Sequence, residues 1–248
     1  VSADKENANY PASNVIDAHP QNVWESIGNT GVLRCAVGGG ADTLAIHNTN
    51  AESITVTVRA LGGIDWQPGS EIDWGSELDW QTDAGDPATT VYDLNAKGVG
   101  RLWGAYTLEA NPHVLEIEFT AASGTIVEAG VVDIGVGNPF LDPLQGVAQG
   151  LKHSYIIKEF NNAAVDIIVR TVVRTFGFTM TEDRDPDFNT FMDDIMQVWG
   201  PRPLSWRLCD GALTDWEWIV YGRCDPLPSG RHSLPTHSNI DVNIIEVT

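Results

Sequence analysis

The stretch GIDWQPGSEIDWGSELDW, residues 63–80, places three tryptophans within fifteen residues, each directly after an aspartate: Asp65-Trp66, Asp73-Trp74 and Asp79-Trp80. Indole faces stack on sugar rings and carboxylates accept hydrogen bonds from sugar hydroxyls. Trp66, Trp74, Trp80 and the later Trp103 are therefore candidate glycan contacts. The same residues suit an assembly interface, where buried aromatics carry much of the binding energy. In a fully extended chain, the even intervals of eight and six residues would put the three indoles on one face and the aspartates on the other. Gly69 and Gly75 call for turns within the stretch. It reads best as a Trp-anchored β connector, with buried indoles and aspartates in polar surroundings.

Catalysis needs groups that converge, and the sequence offers few. It has no GxSxG elbow, no HExxH and no P-loop. VGGGAD at 37–42 is not followed by GK[ST] and reads as a turn. The histidines, at 19, 47, 113, 153, 232 and 237, are scattered; His232 and His237 share a Ser/Pro-rich loop but lack an obvious third ligand. Cys35, Cys209 and Cys224 have no CxxC spacing, which speaks against zinc, and their odd number speaks against a disulfide framework. Cys209 and Cys224 read either as residues of neighbouring strands or as small buried apolar groups. Glu116 and Glu118 alternate along a strand and read as its solvated face. Asp183, Asp185 and Asp187 lack the glycine and terminal glutamate of an EF-hand loop and read as helix caps. A glycosidase pair cannot be picked from so many carboxylates. The expectation is a protein without catalytic residues, cofactor or metal.

Charge narrows the partners. Thirty-four acids against fourteen bases give a formal net charge of -20, which repels nucleic acid and anionic lipid alike. The Asp-heavy, Lys-poor balance suits a saline habitat and ordinary solubility equally. No stretch is apolar for about 18 residues, and no leader of basic then apolar residues opens the chain, so a soluble product without membrane insertion is expected.

These groups must be held by elements, and the elements read mainly as strands. TLAIHNTN, SITVTVRAL, HVLEIEFTAASG and TIVEAGVVDIGVG alternate or are rich in β-branched residues between Gly, Asn, Ser and Pro signals. Such short, evenly spaced strands suggest a sandwich or jelly roll. GNPFLDPLQGVAQG then breaks the pattern with two prolines and three glycines, as a linker or arm would. AVDIIVRTVVRTFGFTM is a long β run, whose middle suits a twisted hairpin or an edge. A helix is expected at about 186–199: Asp185 can cap it, Pro186 suits its first turn, and Phe188, Phe191, Met192, Ile195, Met196 and Trp199 make an apolar stripe. Three further strands follow. The fold class expected is mainly β, an N-terminal sandwich and then an α+β domain of antiparallel sheet with one packed helix. The expected divisions are 1–138, with the Trp-rich connector inside it, a linker at 139–150, and a second domain at 151–248.

Two resemblances sharpen this. NANYPASNVIDAHPQNVWES is similar to the opening of discoidin-like, galactose-binding-type jelly rolls, which often reads YPASNAxDG(D/N)PxTxW. The matching residues are Tyr10-Pro11-Ala12-Ser13-Asn14, Ile16-Asp17, Pro20 and Trp24. In calcium-binding relatives this loop supplies a carboxylate two places after the aspartate and a threonine hydroxyl; here His19 and Asn22 stand at those places. The resemblance then implies that Asp17 and Asn22 structure the loop by hydrogen bonds while Trp24 fills the core.

The arrangement of the whole chain resembles tail-associated structural proteins of tailed bacteriophages. The carrying residues are Trp66-Gln67-Pro68, Trp74 and Trp80, then RTVVRTFGFTM, FNTFMDDIMQVWG and WIVYGRCDPLPSGRHSLPTHSNIDVNIIEV. This likeness implies a virion component of the tail tip, baseplate or distal tail, put together in the host cytoplasm. It would act by assembly, as a ring of copies beside hub or tail-tube proteins. The alternative is a carbohydrate-binding module for host-surface glycans.

Overall fold

The computed structural model describes residues 1–17, 19–38, 40–60, 88–94, 100–105, 113–137, 146–159, 165–183, 192, 200–209, 218–232 and 237–247. The Trp-rich stretch 63–80 lies outside these residues. So does the helix expected at 186–199, apart from Met192, and no α-helix occurs among the described residues. The protein is mainly β. It divides into two compact units: Val1–Gly137 with Gly211–Ile219, and Asn138–Asp210 with Val220–Thr248.

The first unit is a sandwich of two antiparallel sheets. One sheet has the order β1 (Ser2–Ala3), β3 (Thr30–Val37), β8 (His113–Thr120), β5 (Ser53–Ala60), β6 (Ala88–Asp93). The other runs β2 (Trp24–Glu25), β9 (Glu128–Gly135), β4 (Thr43–Thr49), β7 (Gly100–Ala105). The sequence alternation sets which face is buried. In β8, Leu115, Ile117 and Phe119 are fully buried, while Glu116 and Glu118 lie on the other face. Glu116 bridges strands there, 3.3 Å from Arg34 and 3.4 Å from Arg59, at the surface where such pairs contribute little.

Leu33, Ile54 and Phe119 from the first sheet meet Leu44, Ile46 and Leu102 from the second in one core. Trp24 lies against Phe119, with ring centroids 5.6 Å apart and planes at 58°. Gly31 keeps this corner tight: a Cβ there would stand 2.8 Å from the Trp24 ring and 2.7 Å from the Ser26 Cβ.

The second unit is a single antiparallel sheet ordered β10 (Ala148–Glu159), β11 (Val165–Asp183), β15 (His237–Glu246), β13 (Ile219–Cys224), β12 (Leu204–Arg207). A further strand, β14 (Ser229–His232), also pairs with β15. Two sequence expectations shift here. The linker expected at 139–150 gives way to strand at Ala148, because Ala148, Gln149 and Gly150 pair with Gly177, Phe176 and Thr175. The long β run is one unbroken strand and not a hairpin; over Val165–Arg174 it pairs with β10 alone, as the edge reading expected.

The second core lies on one face of this sheet. Phe176, Met180, Ile240, Val242, Ile244 and Cys224 form its core, against which Met192, Leu204 and Trp206 pack. Trp206 donates its indole N–H to the Gly222 carbonyl at 3.1 Å. The three cysteines form no disulfide: Cys35 and Cys224 are buried, one in each core, and Cys209 is exposed just past β12. Burial pushes the Cys35 thiol up to about 11 and that of Cys224 up to about 12.

Candidate functional site

Of the candidate contact residues, Trp66, Trp74 and Trp80 lie outside the described residues. Trp103 lies within β7, opposite Ala45 of β4, and is half-buried.

The loop that carries the jelly-roll resemblance is held by its own side chains. YPASN becomes a 3-10 turn at Ala12–Ile16 that buries Ala12 and Val15. The Glu6 carboxylate accepts from the Ala12 amide at 2.9 Å, and Asn14 donates its side-chain amide to the Val23 carbonyl at 2.9 Å. Asp17 uses both carboxylate oxygens inside the loop. One accepts from the His19 backbone amide at 2.8 Å and the other from the Asn22 side chain at 2.6 Å. An Asx turn of this kind gives the carboxylate a structural task. Trp24 is fully buried at the end of the segment.

The loop is also pinned from the sheet behind it. Asn48 takes a positive φ of 55° at the register shift in β4. Such a bulge re-aims a side chain, and asparagine tolerates the left-handed conformation. Its side-chain amide donates to the Pro20 carbonyl at 2.6 Å. Gly130 of β9 lies under the same carbonyl, where a Cβ would come within 2.4 Å of the oxygen. The sequence pattern located the loop but not Asn48 or Gly130, which only the pairing of β4 with β9 brings beneath it. Among the described residues, no group of three or more His, Cys, Asp or Glu gathers as a metal site would require.

The other candidate lies in the second unit, where β11 outruns the sheet. From Thr175 to Asp183 it pairs with β15, but from Val165 to Arg174 it pairs with β10 alone. At the transition, Arg174 grips Glu246 through two hydrogen bonds, Nε to Oε2 at 2.8 Å and Nη2 to Oε1 at 2.7 Å. The two side chains are only 11% and 4% exposed. The guanidinium also lies over the Phe176 ring, 5.3 Å from its centroid. A bidentate geometry with an aromatic face beside it is what a partly dehydrated arginine needs.

Beyond this pair the sheet surface changes character. Val172 continues the row of Arg174, Phe176, Phe178 and Met180 along one face of β11. Phe176 and Met180 are buried, whereas Val172 is 38% exposed and Leu151, opposite Arg174 on β10, is 65% exposed. The sequence sets Arg174 within the long β run and Glu246 near the end of the last one, with nothing to single out either. They stand 72 residues apart, and only the β11–β15 register joins them.

The opposite face of the sheet is mixed: Ile219 and Tyr221 are buried there, beside polar residues at the surface. A groove of about 390 Å³ lies over Lys152, Thr175, Gly177, Asp225, Pro226 and Asn243. Asp225 sits between Lys152 at 3.6 Å and Arg223 at 3.7 Å, all three well exposed, so the cluster binds itself weakly. Compared with known proteins, the chain matches no family model, no curated protein and no solved structure.

Proposed function

We propose that this chain is a structural component of a bacteriophage tail, at the tail tip, baseplate or distal tail, and that it works by protein–protein assembly. The observation that carries this reading is the unfinished apolar face of the second unit. Phe176 and Met180 are covered within the chain, and the same face continues to Val172 and Leu151 in solvent. A face that runs on past its own cover is a surface for a neighbour.

Supporting this is the order of parts along the chain: a β-sandwich with its own core, then a second β unit with another. That order is in keeping with the arrangement on which the sequence resemblance rests, whose Trp-rich connector and helix lie outside the described residues. The sandwich loop around Asp17 spends that carboxylate on hydrogen bonds within the loop, which favours a building block over a ligand site.

The test is mass spectrometry and immunogold labelling of purified particles of the phage that encodes the chain. The protein is expected in the particles, with label at the tail. Its presence in infected-cell lysate together with its absence from particles overturns the proposal.

A further inference from the structure

We draw no further inference here: the strongest candidate, the exposed apolar patch of Leu151 and Val172 on the sheet of the second unit, belongs to the surface already described, and nothing in the structure shows what covers it.

Discussion

The two units bury their apolar residues in different ways. In the first, two sheets face each other, and Leu115, Ile117 and Phe119 from one are enclosed by Leu44, Ile46 and Leu102 from the other. In the second, a single sheet has a covered region around Phe176 and Val242 and an uncovered one around Leu151 and Val172. A sandwich completes its core with its own strands. A single sheet needs a second layer, and around Leu151 and Val172 the described residues provide none. The boundary between the two regimes is marked by a charged pair, Arg174 with Glu246, whose groups keep hydrogen-bonded partners at the edge of solvent.

The two buried cysteines allow the units to be followed separately. Cys35 lies in the first core and Cys224 in the second, so thiol protection reports the opening of each. The largest effect expected is from Phe119→Ala, which removes a fully buried ring and its contact with Trp24. It should destabilise the first unit by about 3–5 kcal/mol. Denaturant-dependent labelling of Cys35 should shift accordingly, while that of Cys224 should stay within about 0.5 kcal/mol of wild type if the cores open independently. Equal shifts at both thiols would show that the two cores open as one.

Arg174→Met comes next. It leaves the Glu246 carboxylate buried without its bidentate partner and should destabilise the second unit by about 3 kcal/mol, read at Cys224. Combining it with Glu246→Leu should restore most of the loss, because removing both charges removes the uncompensated one as well. A double variant no better than Arg174→Met would mean that the pair serves packing more than charge.

The smallest effect is on the alkaline side. Burial raises the Cys35 thiol to about 11 from an ordinary value of 9.0. Below about pH 9 both folded and unfolded chains keep this proton, and the contribution is whole. Between about 9 and 11 the unfolded chain gives up a proton that the folded chain retains, so stability falls as pH rises. Two pH units correspond to roughly 2–3 kcal/mol. Denaturant titrations at both ends of this window should show a loss that is smaller in Cys35→Ala by that amount. Equal losses in the two proteins would mean that Cys35 is reached by water in the folded state.

Much of the strand content was legible from the residues themselves. HVLEIEFT alternates so regularly that its buried face, Leu115, Ile117 and Phe119, is evident before any partner strand is known. YPASN and the following Asp17 and Trp24 announced a structured loop, because short polar side chains beside proline satisfy backbone groups locally. Local chemistry determines such features, since the interacting groups lie a few residues apart.

What tertiary structure alone decided are the contacts between residues distant in sequence. Asn48 reaches Pro20 because a register shift in β4 turns it there, and Gly130 leaves room because β9 runs beside it. The start of β10 at Ala148, inside a stretch whose prolines and glycines read as a linker, follows from pairing with β11. Arg174 and Glu246 resemble any two surface charges in the sequence; adjacency of β11 and β15 makes them a buried pair. The residues determined that there would be strands and which of their faces would be apolar, because alternation is a local property. Whether an apolar face would be covered depended on which strands became neighbours, and that is how Phe176 came to be buried and Leu151 left exposed.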